Sequence, residues 1–371
     1  MTKADIDTPA LLIDLDAMEA NISRMAAYYA PLKAKLRPHM KTHKTPTITH
    51  RQLQAGAIGV TCQKLEEAEV FARAGILGIL LSNQVVGQAK IDRLVGLSQW
   101  ADVTVGVDDL ENVRAISQAA CGARRPVQVG IEIYMGRCGV EAGPAVAALA
   151  REIVQLPGLR FQGIWSHDLS TPDVVSFDRR RAIHEAEMAK VIHSKHLVEA
   201  EGIAVAMVSC GYSATWNITP WCSSEITDVQ VGSYVLMDWP YQQLEGMEGF
   251  ACALTVLTTV MSRNEAKGDR RHVLVTDCGI KSIATEHTAD YGQTVYPRVK
   301  GLPAARVLVH SEEHGLIQVD GPTFAGIRLG DRLELIPSHC CSTCNLHDRF
   351  YAMRGDTVEA VWPIQARGAA T

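Results

Sequence analysis

The sequence predicts an α/β protein: a TIM-like (β/α)8 barrel followed by a second, β-rich domain. Short apolar runs alternate with helix-period segments from about residue 36 to 240. Eight such runs can be counted, the number that closes a barrel. After about residue 245 the helical periods stop, and strand-like runs follow one another across turns. A doubly wound open sheet alternates in the same way as a barrel, and the count of eight decides between them. The expected boundaries are 20–242 for the barrel and 1–19 plus 243–371 for the β-rich domain.

The eight barrel runs are LRPHM (36–40), GAIGVTC (56–62), GILLS (78–82), VTVGVD (103–108), VQVGIEI (127–133), FQGIWS (161–166), VAMVSCG (205–211) and DVQVGSYV (228–235). LEEAEVFARAG (65–75) and RAIHEAEMAKVIHSKHLVEAEG (181–202) between them repeat apolar residues at three- and four-residue spacing, as amphipathic helices do. LTVLTTVMS, RHVLVTDCG, RVLVHSEEHG, DRLELIPSH and GDTVEAVWPIQARG supply the second domain's strands. ALLIDLD (10–16) precedes the barrel and is expected to join that second sheet, and the polar stretch 262–271 reads as a solvent loop.

A chain of 371 residues with 47% hydrophobic composition can bury a large core. A net charge of -5 without a long single-sign run argues against nucleic-acid and anionic-membrane partners. MTKADIDTPALLIDLD lacks the apolar run of a signal peptide, and no stretch approaches the roughly 20 apolar residues of a membrane span. The ten cysteines have no framework spacing, so free thiols in a cytoplasmic protein are expected.

Functional groups in a barrel gather at the C-terminal ends of its strands. Lys41 ends the first run, within Arg37-Pro38-His39-Met40-Lys41-Thr42-His43-Lys44. Burial and neighbouring cations favour a neutral amine, which can form a Schiff base with an aldehyde, and pyridoxal phosphate is the commonest such partner. On residue type alone Lys41 and Lys44 also fit a basic surface loop, and the rest of the rim decides. Gln63 and Lys64 end the second run, and Arg137 follows the fifth between Gly136 and Gly139. His167 ends the sixth run, where its ring can stack on a planar cofactor or serve as an ordinary structural group. Ser209, Gly211, Ser213 and Thr215 alternate small and hydroxyl residues after the seventh, a pattern suited to a phosphate cradle or a plain Gly/Ser turn. Gly232 and Tyr234 end the eighth, where Tyr234 can donate to the same phosphate or fill the core.

A second constellation is Pro337-Ser338-His339-Cys340-Cys341-Ser342-Thr343-Cys344-Asn345. On an extended strand His339 and Cys341 point to one side and form half of a tetrahedral metal site, which water and substrate can complete. Cys341 with Cys344 as a CxxC corner or redox pair, and ordinary buried thiols, are the competing readings.

These residues carry a family resemblance. RPHMKTHK resembles the cofactor-lysine motif of D-threonine aldolases and eukaryotic-type D-serine dehydratases, pyridoxal-phosphate enzymes of the alanine-racemase-like fold (fold type III). The resemblance runs nearly end to end, through DTPALLIDLDAMEANI, VTCQKLEEAEVFARAGI, LLSNQVVGQAKIDRL, GRCGV, VGSYVLMD, TDCGIKS, SEEHG and PSHCCSTCNLHDRFYAMR, to VEAVWPIQARG. It implies Lys41 as the Schiff-base lysine, Arg137 near the cofactor's phenolic oxygen and His167 against its ring. It implies Ser209, Gly211, Ser213, Thr215, Gly232 and Tyr234 around the phosphate, and His339 and Cys341 as metal ligands. Gln63 is taken as a substrate contact. A homodimer is implied, with the active site completed at the subunit interface.

Three places depart from the aldolase pattern. His339-x-Cys341 stands where aldolases of this kind carry His-x-Asp, SCGYSAT replaces their glycine-rich phosphate loop, and Trp165-Ser166-His167 resembles the racemase and dehydratase turn. A thiolate ligand places zinc ahead of manganese or magnesium. The expected activity is retro-aldol cleavage of a β-hydroxy-D-amino acid, such as D-threonine or 3-hydroxy-D-aspartate, to glycine and an aldehyde. The runner-up is dehydration of D-serine or 3-hydroxy-D-aspartate to a 2-oxo acid and ammonia. The aldolase branch is preferred because Gln63-Lys64, SNQVVGQAKIDRL and CGIKS resemble it. A non-catalytic pyridoxal-phosphate-binding protein is the remote alternative, and it would have no evident use for the metal pair.

Overall fold

The first barrel strand, Lys35–Leu36, is short, but its bonding to the neighbour Asp228–Val229 runs on past Pro38: Arg37 N donates to Val229 O and His39 N to Val231 O, while Pro38, which has no N–H to give, offers its carbonyl on the other side. A computed structural model describes residues 1–371 except 169–170, 172–173, 266–270 and 288–293. The eight predicted runs all fall on one parallel sheet, whose strands are Lys35–Leu36, Val60–Cys62, Ile79–Gln84, Val103–Val107, Val127–Ile133, Leu159–Ser166, Met207–Cys210 and Asp228–Val229. The sheet curls until its edges meet, where His39 bridges Thr61 in parallel and Thr61 N donates to Pro38 O at 2.9 Å. Helices Leu65–Arg73 and Phe177–Ala200 occupy the predicted amphipathic segments.

Alternation along the strands sorts side chains between wall and interior. Val127, Val129, Ile131 and Ile133 join the large core between strands and helices. Trp165 fills the barrel interior with Leu80 and Met207, fully buried. Its indole N–H donates to Gly130 O at 3.2 Å. Gly106 makes room for it, since a Cβ there would lie 2.6 Å from Trp165 Cζ2.

The second sheet has nine strands. Ala10–Asp14 sits at its centre, antiparallel to Leu254–Asn264 and parallel to Arg349–Arg354, as expected for ALLIDLD. Several strand expectations were too long: GAIGVTC is a strand only over Val60–Cys62 and VAMVSCG only over Met207–Cys210. LRPHM gives way to a 3-10 turn at Met40–Thr42, and DVQVGSYV to one at Ser233–Val235. The expected loop 262–271 begins inside strand Leu254–Asn264, and residues 266–270 of it lie outside the described residues. All ten cysteines are free, and no described helix is long and apolar enough to cross a membrane.

Because the interior around Trp165 is full, Gly106→Ala should destabilise the fold by about 1–3 kcal/mol, the usual cost of overpacking. Urea unfolding measures it; an unchanged midpoint would show that Trp165 can move aside.

Candidate active site

The Lys41 turn starts at the seam that closes the barrel. His39 caps it, its Nδ1 accepting from the Lys41 amide at 3.4 Å. His39 Nε2 faces Gln63 Oε1 at 3.2 Å, and Gln63 Nε2 donates to Ser82 O at 3.1 Å. An amide oxygen only accepts, so this arrangement puts the His39 proton on Nε2. Gln63 therefore positions His39. Lys44 is set apart from Lys41: it takes φ +53°, pairs with Glu67 at 2.7 Å in a buried ion pair, and reaches Ala369 O. The Lys41 ammonium has no hydrogen bond or ion pair among the described residues.

Lys41, Arg137, His39 and His167 act on one another electrostatically. Burial first, then Lys41, His167 and Arg137, hold His39 well below the usual imidazole range. Burial, Lys41 and Arg137 bring His167 down to about 3. His167 stands edge-on to Tyr212, with ring centroids 5.8 Å apart. Arg137 lies on an exposed loop pinned where Gly139 N donates to Asp108 Oδ2 at 2.9 Å. Gly139 has φ +115°, and a Cβ would meet Tyr134 N at 2.5 Å.

The loop after the seventh strand has the makings of an anion cradle. Gly211 takes φ +76° with Thr219 Oγ1 where a Cβ would be, so only glycine fits. The 3-10 turn Ser213–Thr215 follows, and its Ser213 and Ala214 N–H groups have no acceptor among the described residues. Ser213 Oγ accepts from Ser233 N at 3.0 Å, joining this loop to the end of the eighth strand. Thr215 Oγ1 accepts from Tyr212 N and from the Thr219 hydroxyl. Gly232 lies against the Lys41 turn, where a Cβ would be 2.6 Å from Thr42 Oγ1. The side chains of Ser209 and Tyr234 are committed elsewhere. Ser209 donates to Asp228, itself paired with Arg37 in the barrel interior, and Tyr234 accepts from Gln52 at 2.8 Å on helix Pro46–Gln54.

The donor atoms of His339, Cys340 and Cys341 lie within 4.8 Å of one another. The expected extended strand is not what brings them together. His339 is extended, but Cys340–Cys344 is a short helix that folds Cys341 back beside it. Asp238 makes this turn, accepting from Cys340 N with Oδ1 and holding His339 Nδ1 at 2.8 Å with Oδ2. The Cys341 sulfur lies 3.6 Å from Thr42 Oγ1, one residue from Lys41. Cys341 is held well below the usual thiol range, first by the Cys340 hydrogen bond, then by His339 and Lys41. Burial opposes charge on His339, but Cys341 and Asp238 outweigh it and raise its pKa. The donor set fits a zinc-type ion: an imidazole with Nδ1 fixed by a carboxylate offers Nε2, beside a sulfur of thiolate character.

Sequence reasoning missed Asp238, His39 and a carboxylate pair at the barrel mouth. Gln84 Nε2 bridges Asp108 Oδ2 at 3.0 Å and Glu132 Oε2 at 2.5 Å, and burial pushes Glu132 up to about 7. The signal for Glu132 was its inward position in VQVGIEI. Asp238 had no local signal, because its partners lie about 100 residues away.

Two outcomes follow from these hydrogen bonds. Asp238→Asn should weaken zinc binding by about 10–100-fold; chelator competition measures it, and unchanged affinity would show that His339 is oriented without Asp238. Burial also keeps His43 at about 4, below an unfolded value of about 6.5. The folded chain then binds fewer protons than the unfolded chain between these values. Its contribution is full above pH ~6.5 and falls towards pH ~4, by up to about 1.4 kcal/mol per unit. Urea titrations across this window should lose that slope in His43→Gln; an identical slope would locate the effect elsewhere.

The chain matches the family model "Alanine racemase, N-terminal domain" over residues 13–240 and "Putative serine dehydratase domain" over 253–353. It is 37% identical to the 3-hydroxy-D-aspartate aldolase of Paracoccus denitrificans (strain Pd 1222), over 99% of this chain and 94% of that protein. It is 36% identical to the D-threonine aldolase of Arthrobacter sp, over 98% and 94%. The crystal structure of D-threonine aldolase from Filomicrobium marinum matches with a TM-score of 0.91 at 35% identity, covering 99% of this chain and 98% of the other. D-threo-3-hydroxyaspartate dehydratase from Delftia sp. HT23 matches with a TM-score of 0.88 at 28% identity, over 98% of each. A D-threo-3-hydroxyaspartate dehydratase has also been solved with a histidine replaced by alanine, and, in a metal-free form, with a cysteine two positions later replaced by alanine. The same spacing separates His339 from Cys341. The chain belongs to the family of D-threonine and 3-hydroxy-D-aspartate aldolases, built on the alanine-racemase-like fold.

Proposed function

We propose that this chain is a lyase that cleaves β-hydroxy-D-amino acids between Cα and Cβ, releasing glycine and an aldehyde. Its helpers are pyridoxal phosphate anchored at Lys41 and a divalent ion, zinc by its donors, at His339 and Cys341. The observation that carries this is the approach of Cys341 to Thr42, which sets the His–Cys pair beside the Lys41 turn. Identity of 36–37% to two aldolases, against 28% to a dehydratase, favours carbon–carbon cleavage.

When bound, the cofactor supplies an electron sink at the substrate's Cα and the ion supplies Lewis acidity at its β-substituent. The chain's own groups bind and orient. Lys41 is the amine without a competing partner among the described residues, whereas Lys44 is held in its ion pair. His167 is neutral at working pH and presents an uncharged ring to a planar cofactor. Arg137 offers a cation to the phenolic oxygen. Gly211, Ser213, Thr215 and Gly232, with the main chain at Tyr234, form the phosphate side, and Ser209 supports it from within the paired strand behind. Gln63 serves the substrate side by fixing His39. Asp238 turns His339 so that Nε2 faces away from the carboxylate. A homodimer in the cytoplasm is the assembly this reading takes, on the family resemblance.

Dehydration is the second reading, and one feature favours it: the His-x-Cys spacing is shared with the D-threo-3-hydroxyaspartate dehydratase variants. Product analysis separates the two. With D-threonine or 3-hydroxy-D-aspartate, cleavage yields glycine with acetaldehyde or glyoxylate, whereas dehydration yields a 2-oxo acid and ammonia. Neither product set, with D-serine also tried, would sink both readings. Lys41→Ala should remove the visible absorption band of the bound cofactor together with turnover; a surviving band would refute the anchor.

A further inference from the structure

Arg180 is fully buried, and its guanidinium is spent on neutral partners. Nε donates to Ala214 O at 2.8 Å, Nη1 to Val174 O at 2.6 Å and Val175 O at 3.0 Å, and Nη2 to Glu245 O. No carboxylate lies within ion-pair distance of it among the described residues. Glu245 and Glu248 act on it only from beyond that distance. A buried charge without a close counter-charge is costly, and carbonyl dipoles offset only part of that cost. Arg180 also stands in the first turn of helix Phe177–Ala200, the end at which the helix dipole disfavours a cation. A clamp on four carbonyls explains the donors. It does not explain why the clamp carries a full charge.

The position of Ala214 supplies an explanation. Ala214 is the middle residue of the 3-10 turn Ser213–Thr215, whose free N–H groups form the proposed phosphate cradle. The guanidinium is therefore one hydrogen bond behind that turn. It also ties the turn to Val174 and Val175, beyond the sixth strand, and to Glu245, beyond the eighth.

We propose that Arg180 is a positioning residue for the cofactor's phosphate, fixing the Ser213–Thr215 turn and adding its charge, through that turn, to the attraction for the phosphate dianion. This rests on the reading that the turn receives the phosphate. The charge acts through the turn, with Arg180 itself buried behind it.

The experiment titrates the apo form of the full chain with pyridoxal phosphate and with pyridoxal, which lacks the phosphate, following visible absorbance. The measured quantity is the ratio of the two affinities, which a general loosening of the fold does not move in one direction. Arg180→Gln should lower this ratio by about tenfold or more, the scale of one partly buried charge interaction. Arg180→Lys keeps the charge but not the planar fork. It should retain the ratio within about threefold even if it melts earlier. An unchanged ratio in Arg180→Gln, or a collapsed ratio in a folded Arg180→Lys, would overturn the proposal. If Arg180→Gln does not fold, the lysine variant decides alone. A wild-type chain without preference for the phosphorylated form would overturn the phosphate reading itself, an outcome distinct from failure at Arg180.

Discussion

One carboxylate holds the site together. Asp238 lies just past the eighth barrel strand and bonds two consecutive residues of the second sheet's short helix, His339 through its ring and Cys340 through its amide. It is almost fully buried, so water does not compete for its oxygens, and both bonds are of the strong, charge-assisted kind. Through it, a barrel that presents a lysine and a sheet that presents a metal-type pair share a single boundary. The Thr42–Cys341 contact, the bond from Lys44 Nζ to Ala369 O and the bond from Thr45 Oγ1 to Pro363 O seal the same boundary from the barrel side.

The electrostatic character of the mouth follows from burial. His39 and His167 are both kept uncharged, so Lys41 and Arg137 stand among neutral rings. A cluster of four cations would repel itself; two cations separated by neutral rings suit an anionic cofactor and an amino-acid carboxylate. The Asp108–Glu132 pair balances the Arg137 side, and one of its two members is held near neutrality by burial.

Much of this was readable from the chain because it depends on local pattern. Eight apolar runs gave eight strands, and ALLIDLD joined the second sheet as expected, because alternation and turn residues act over a few positions. The rim residues Lys41, Arg137 and His167 could be placed because strand ends define a barrel face. What was illegible depends on distant partners. Nothing near Asp238 announces His339, and nothing in SCGYSAT announces that Ser209 is drawn inward by Asp228. His339 and Cys341 were paired for the right spacing and the wrong backbone: a helix turn, imposed by Asp238, does what an extended strand was expected to do.

The contact between Gly232 and the Lys41 turn sets a length. A Cβ on Gly232 would strike Thr42 Oγ1, so the end of the eighth strand packs its main chain directly against the Thr42 and His39 side chains of the turn bearing the lysine. In the proposed reading these two segments hold neighbouring substituents of one ring, its aldehyde carbon and its phosphate arm. The pair then works as a fixed gauge. A phosphate arm longer or shorter by one methylene would have to fold within a space whose walls are packed, because the main chain at Gly232 has no room to approach the Lys41 turn more closely.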